Sequence, residues 1–213
     1  MGDFDADILT AQTAWRAVMK DHGNEFGVTV FPTPAKLLPK HMSNARVYAD
    51  RYDYLNHLPK QARVAEVGVW KGEFSDHILR QCKPAQLHLF DLNFTRFAVR
   101  DRFVAQMAAG QVVFQEGDAA LTMAAMPDDY FDWMYIDAGH DYASVKADAM
   151  LGARKVKSGG LLVFNDYIFW SHTESRPYGV VQAVNELCVQ DGWVVKAFCL
   201  HPGMYCDIAV AKA

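Results

Sequence analysis

Glu66-Val67-Gly68-Val69-Trp70-Lys71-Gly72 decides how the rest of this chain is read. It follows the apolar pair Val64-Ala65 and runs into Phe74, Ile78 and Leu79, which recur at helical spacing. The next apolar run, Leu87-His88-Leu89-Phe90, closes on Asp91. A strand, a glycine turn, a helix and a second strand ending on a carboxylate form a βαβ unit of the nucleoside-binding kind. Glycine lacks a Cβ, so Gly68 and Gly72 are expected to let the turn approach a ligand closely. Asp91, at the strand tip, is placed to accept hydrogen bonds from the hydroxyls of a ribose.

Spacing separates the ligands that use such a unit. A dinucleotide site wants G-x-G-x-x-G, whereas Gly68 and Gly72 give G-x-x-x-G. A phosphate-binding loop wants Gly-Lys-Ser/Thr, and Gly72 is followed by Glu73-Phe74. Glu66 and Glu73 would also set negative charge beside a pyrophosphate, which is unfavourable. The turn suits a nucleoside without phosphates, of which S-adenosylmethionine is the commonest as a cofactor. Its ammonium and sulfonium groups are cationic and favour nearby carboxylates. The same residues also fit a plain glycine turn in another α/β protein.

At 213 residues, with 51% hydrophobic and 22% charged residues, the chain reads as ordinary globular sequence. A single domain of this size buries roughly 70% of its unfolded surface. A net charge of −4 and a pI near 6.0 argue against a nucleic-acid partner. Arg96, Arg100 and Arg102 share a segment, but Asp101 interrupts them, as on a solvated helix face. No apolar run is long enough to span a membrane, and the N-terminus has neither a secretory pattern nor a myristoylation signal. Cys82, Cys188, Cys199 and Cys206 are scattered, without C-x-x-C or zinc spacing, as buried thiols of a reducing compartment would be. The expected location is the cytoplasm.

From residue 64 onward short apolar runs alternate with helix-period segments, the pattern of a parallel α/β sheet. The runs cover residues 64–68, 87–92, 112–116, 131–137, 161–164, 193–198 and 205–210. Tyr142, Val145, Ala149, Ala153 and Val156 recur at helical spacing, with Lys155, Lys157 and Gly159-Gly160 as a basic last turn and glycine stop. The link between the last two runs, around His201-Pro202-Gly203, is too short for a helical crossover, so the seventh strand must be antiparallel. Residues 61–213 make the sheet domain. Residues 1–60, broken by Phe31-Pro32-Thr33-Pro34 and Leu38-Pro39, form a helical extension suited to a lid or to an oligomer contact. A helix is expected over residues 43–58; packing against the sheet edge serves it equally well.

In open α/β sheets ligands lie beyond the carboxyl ends of the strands. Those ends carry Gly68, Asp91, Asp118, Asp137 and Asn165-Asp166, with His201 in the last hairpin. Asp118 and Ala119 fall where the base of a nucleoside held by Asp91 would lie; Asp118 also suits a helix N-cap. Asp137, Asn165 and Asp166 offer the oxygens a hard divalent cation requires, or else serve as a cap and a turn. His140 is a candidate general base, titrating near neutrality, or a helix-start residue bonded to backbone. His172, Glu174 and Arg176 follow the fifth strand where an acceptor would lie, and Tyr167, Phe169 and Trp170 would suit a ring or sugar.

At this point the chain resembles a known family. Residues 65–72 look like motif I of class I S-adenosylmethionine-dependent methyltransferases. Tyr135-Ile136-Asp137-Ala138-Gly139-His140-Asp141-Tyr142 and Gly159-Gly160-Leu161-Leu162-Val163-Phe164-Asn165-Asp166-Tyr167 are similar to the branch that includes macrocin O-methyltransferase-type enzymes. Tyr178-Gly179-Val180-Val181-Gln182-Ala183-Val184 resembles that branch's next helix, and the likeness covers about residues 60–210. It implies a Rossmann-like α/β fold: a seven-stranded, mostly parallel sheet with an antiparallel last strand and helices on both faces. By motif, Glu66, Gly68, Gly72 and Asp91 would hold S-adenosylmethionine. Asp137, Asn165 and Asp166 fall where related enzymes bind Mg²⁺, although this chain has Asn-Asp where the branch has Asp-Asp. The activity implied is methyl transfer; the expected acceptor is a hydroxyl of a small molecule, its proton taken by His140 beside a Mg²⁺ at Asp137 and Asp166 or, without metal, by His140 or Asp137 alone. N-methylation, another adenosyl chemistry or a non-catalytic nucleoside-binding module fit the same scaffold.

Overall fold

The computed structural model describes residues 3–22 and 33–212; Phe31 and Pro32 of the expected break at 31–34 lie outside these. The N-terminal part holds α1 (Phe4–His22), α2 (Pro39–Met42), a short strand β1 (Arg46–Tyr48) and α3 (Arg51–Leu55). The glycine turn joins β2 (Arg63–Val67) to α4 (Glu73–His77), which continues as a π turn over Ile78–Cys82, and β3 (Gln86–Asp91) follows. Then come a 3₁₀ turn (Arg100–Phe103), α5 (Val104–Ala108), β4 (Val112–Glu116), α6 (Ala119–Ala124) and β5 (Phe131–Ile136). The last third has α7 (Tyr142–Lys155), β6 (Val156–Phe164), a two-stranded ribbon of β7 (Trp170–Ser171) and β8 (Arg176–Pro177), α8 (Val180–Asp191), β9 (Trp193–Cys199) and β10 (Asp207–Lys212).

One sheet of eight strands runs β1-β9-β10-β6-β5-β2-β3-β4. Every pairing is parallel except those of β10, which is antiparallel to both β6 and β9 and lies between them. The expected antiparallel last strand is therefore present. β10 is buried at Asp207, Ile208, Ala209, Val210 and Ala211, as a central strand covered on both faces must be. One apolar cluster, with Leu55, Val64, Leu87, Phe103 and Trp133, fills one face. A second, with Val67, Phe90, Met134, Ile136, Val145 and Val184, fills the other under α7 and α8. Two helix starts near the site are set by side chains: Asp118 accepts from Ala120 N at 2.8 Å to open α6, and Asp141 from Ser144 N at 3.0 Å to open α7. Among the described residues no helix is long and apolar enough to cross a membrane.

Three local expectations are corrected. The helix over 43–58 is a turn, a strand and a five-residue helix. Arg46-Val47-Tyr48 pairs in register with Ala197-Phe198-Cys199, and Asp50, accepting from Asp53 N at 2.7 Å, starts the helix only at Arg51. This edge strand raises the sheet from seven strands to eight. The helix before β6 stops at Lys155 rather than at the glycines, because Lys155 Nζ is drawn inward to Met126 O (2.6 Å) and Asp128 Oδ1 (2.7 Å). Gly159, at φ +74°, instead lies within β6, where the pairing with β5 shifts register.

Candidate active site

The carboxyl edges of β2, β3 and β5 meet at the glycine turn. Gly68 N donates to Phe90 O at 2.8 Å, and Asp137 N donates to Val67 O at 2.7 Å. Gly68 has φ +86°, and a Cβ there would fall 1.9 Å from the carbonyl oxygen of Asp137. Gly72 has φ +78°, and its Cβ would meet the Phe97 ring at 2.1 Å. The glycines are thus demanded by the neighbouring chain, a reason the ligand-approach reading did not contain. Asp91 Oδ2 accepts from Val69 N (2.8 Å) and Trp70 N (3.0 Å), while Oδ1 accepts from Asn93 N at 3.2 Å. The carboxylate braces the turn, and Oδ1 keeps a lone pair for a ligand.

Two clefts open on either side of this turn and share Gly68, Val69, Trp70, Asp137 and Ala138 as their common wall. The first, of about 640 Å³, is lined by Phe90, Asp91, Asn93 and Ala119 among others. Ala119 faces it, whereas the Asp118 carboxylate caps α6. The second, of about 570 Å³, is lined by Arg51, Glu66, Gly72, Phe74, His140, Glu174 and Arg176 among others. Glu66 is buried, accepts from Ser75 Oγ at 2.5 Å, and is pushed up to about 8 chiefly by burial, with Asp137 and Asp91 adding to the effect. A carboxyl whose charged form is opposed by burial and by neighbouring carboxylates, beside a carboxylate that keeps a free lone pair in the adjoining cleft, fits a ligand with a nucleoside end and a cationic end. S-adenosylmethionine has that form. When bound it supplies an electrophilic methyl group on a sulfonium.

His140 lies on the second cleft. Its ring stacks on Tyr178 (4.4 Å between centroids, 13° between planes), and its carbonyl accepts from Gly179 N at 2.7 Å. Nε2 is 3.5 Å from Asp137 Oδ1 and 3.3 Å from Asp166 Oδ2, close to both but aligned as a hydrogen bond to neither. Burial opposes its charge, yet Asp137, Asp166 and Glu174 outweigh that and raise its pKa above the ordinary imidazole value. Asp166 is buried, has φ +54°, and is pushed up to about 6 by burial and by Asp137. A non-glycine residue held at such a backbone angle stores strain of a kind that clusters at functional sites. Glu174 pairs with Arg176 at 2.6 Å on the cleft wall. Among the described cleft-lining residues neither His172 nor His201 appears; His172 lies against Tyr205, and His201 Nδ1 accepts from Gly203 N. Tyr167 donates to Asn185 Oδ1 at 2.5 Å, a packing role.

Behind His140 lies a buried network that sequence reasoning missed. Arg51 Nη1 donates to Tyr135 Oη (2.9 Å) and Asn165 Oδ1 (3.2 Å), and Tyr135 Oη donates to Asp207 Oδ2 at 2.7 Å. Burial works against the Arg51 charge, but Tyr135, Asp207 and Asp137 hold it well above its ordinary range. Asp207 is pushed up to about 7 by burial. A polar residue opening an otherwise apolar strand was a legible signal for Asp207, and Tyr135 sits one residue before Ile136-Asp137. Nothing in the sequence around Arg51 marks it.

The structure does bring Asp137, Asn165 and Asp166 together, but they do not fit a divalent cation. Asn165 Nδ2 donates to Asp137 Oδ1 at 2.9 Å, so the amide turns hydrogens, not oxygen, toward that carboxylate. His140 Nε2 stands between the two aspartates where a cation would sit. Among the described residues no group of three or more His, Cys, Asp or Glu is arranged to hold a metal ion.

Similarity to known proteins agrees with this architecture. The sequence model of a family described as a methyltransferase domain matches residues 65–167. No curated protein matches. Among solved structures, an O-methyltransferase family protein from Burkholderia thailandensis is 17% identical, with a TM-score of 0.57 over 76% of this chain and 55% of its own. An O-methyltransferase from neocarzinostatin biosynthesis, solved with S-adenosylmethionine and 2-hydroxy-5-methyl naphthoic acid, is 18% identical (TM-score 0.53, 72% of this chain, 49% of its own). The B. subtilis m1A22 tRNA methyltransferase is 14% identical (TM-score 0.56, 78% of this chain, 66% of its own). The chain thus spans between about half and two thirds of the length of these structures. At such identities the likeness speaks for the fold and not for the acceptor or the macrocin branch. The chain has the class I S-adenosylmethionine-dependent methyltransferase fold.

Proposed function

We propose that this protein is an S-adenosylmethionine-dependent methyltransferase acting on a hydroxyl of a small molecule. The observation that carries the reading is the meeting of the two clefts at Gly68–Asp137, with His140 lining the second cleft and its buried Nε2 turned inward between Asp137 and Asp166. Asp91 and Ala119 bind the nucleoside end, and Glu66 faces the cationic end. His140, in its neutral form, takes the proton that the acceptor hydroxyl loses as its oxygen gains the methyl group. Asp137 and Asp166 stabilise the imidazolium that results, in the manner of a carboxylate-oriented histidine base. Holding acceptor and base in line with the methyl donor supplies the remainder of the rate. No step is assigned to Mg²⁺. The test is calorimetry with S-adenosylhomocysteine, followed by a screen of small hydroxylated acceptors for S-adenosylhomocysteine formation. Absence of cofactor binding rejects the reading. Binding without turnover on any hydroxyl, with turnover on amines, would replace it by N-methylation.

A further inference from the structure

The orientation of the Asn165 amide is fixed by chemistry. A guanidinium carries donors only, so the amide atom facing Arg51 Nη1 at 3.2 Å must be the oxygen. The hydroxyl of Tyr135, 3.3 Å away, approaches the same oxygen. The amide nitrogen is thereby left for Asp137 Oδ1 at 2.9 Å. Turning the oxygen toward a metal beside Asp137 would drive the NH₂ group against the guanidinium, donor against donor. Arg51 is itself held in place. It sits in the first turn of α3 behind the Asp50 cap, half-buried, with its guanidinium 5.4 Å from the Phe74 ring centroid and 5.9 Å from that of Tyr52. An arginine so placed cannot lose its charge and presents its donors in a rigid fork.

We propose that Arg51 is the resident cation of this site: it holds Asn165 and Tyr135 in the orientation that excludes a divalent metal and leaves Asp137 and Asp166 to His140. The inference rests on the reading of this cleft as the acceptor site. Arg51 acts through Asn165 and is a positioning residue. The consequence is specific: removing the guanidinium frees the Asn165 oxygen to turn toward Asp137 and creates a metal site the native protein lacks.

The probe is Mn²⁺ alone, titrated into the full chain and followed by the electron paramagnetic resonance of the free ion. Wild type and Arg51→Lys should show no stoichiometric binding at this site. Arg51→Met should bind one Mn²⁺ per chain at least about tenfold more tightly than wild type, and adding Asp137→Asn should abolish the gain. Wild-type binding that Asp137→Asn removes would overturn the proposal. So would a folded Arg51→Met protein, shown by an unchanged circular dichroism spectrum, with no gain in Mn²⁺ affinity. Should Arg51→Met not fold, Asn165→Asp decides: the new carboxylate should pair with Arg51 and leave Mn²⁺ unbound, whereas Mn²⁺ binding by that variant would overturn the proposal. Failure of the cofactor reading would appear separately, as wild-type protein that binds no S-adenosylhomocysteine.

Discussion

His140 stands under opposing demands. As a base it must be neutral, yet Asp137, Asp166 and Glu174 favour its charged form. Its proton-accepting fraction therefore grows only as pH rises through a pKa displaced upward from the ordinary imidazole value. Single-turnover rates should climb across that range and level above it. His140→Ala should lower the rate by about 10²–10⁴-fold and remove the rising limb, with affinity for S-adenosylhomocysteine nearly unchanged. A mutant that keeps the wild-type profile would reduce His140 to a ring stacked on Tyr178. Glu66 gives a second, independent pH signature, this time in stability. Its folded-state value of about 8 lies above its unfolded value of 4.5, so the folded protein retains a proton that the unfolded chain has lost. That contribution to stability is full below the unfolded value and is lost as pH rises toward 8. Glu66→Gln keeps an acceptor for Ser75 and carries no charge. Urea unfolding at acid and alkaline pH should show the mutant gaining on wild type by roughly a few kcal/mol at the alkaline end. A constant difference between the two proteins would mean that Glu66 is ionised in the fold.

The turn between β2 and α4 was the most legible element, because its glycine spacing and the carboxylate closing β3 are local signals. Its physical reason was not legible. That Gly68 must make room for the Asp137 carbonyl is a fact about two strands remote in sequence, and no spacing rule reports it. Gly68→Ala should therefore cost at least about 2 kcal/mol of stability, from a left-handed backbone and a backbone clash together. A melting temperature close to wild type would show that the β2 and β5 ends can separate. Asp91→Ala should weaken S-adenosylhomocysteine binding by about 1.5–3 kcal/mol, the scale of charge-assisted hydrogen bonds. Because Asp91 also braces Val69 N and Trp70 N, part of that loss belongs to a loosened turn. Calorimetry with adenosine alone checks this: a nucleoside contact predicts a comparable loss, and undiminished adenosine binding would remove Asp91 from the ribose. The segment around β1 was misread for the opposite reason. Residues 46–48 take their strand form from pairing with β9, a tertiary partner that outweighs the local helical pattern.

Across the whole molecule the chain divides into a body tied together by polar links and a helix laid on it. Tyr135, Asn165 and Asp207 come from β5, the end of β6 and β10, and Arg51 joins them from the N-terminal part. These strands are adjacent or next-adjacent at the centre of the sheet, so the network cannot open without separating the core. By contrast every described side chain of α1 is exposed, and Trp15 packs on Trp170 of the body with centroids 4.7 Å apart. The link was not legible in the sequence, since one arginine of the three in residues 1–60 carries no pattern until the fold sets it against Tyr135. Trp15→Ala should accordingly move the unfolding free energy by less than about 1 kcal/mol, as substitutions at exposed positions do. Tyr135→Phe should cost about 1–3 kcal/mol, because it leaves a buried carboxylate without its donor. The sign of its pH dependence follows from Asp207. Burial already pushes that carboxyl to about 7, and loss of the Tyr135 hydroxyl removes an interaction that lowers it. Its pKa should rise further, and the penalty falls on the charged form alone. The mutant's deficit should thus be small below neutrality, where Asp207 is protonated in both proteins, and grow as pH rises through the wild-type value. Denaturant unfolding of the two proteins on either side of neutrality measures it, and a deficit that is largest in acid would mean that the hydroxyl serves Arg51 or Asn165 rather than Asp207.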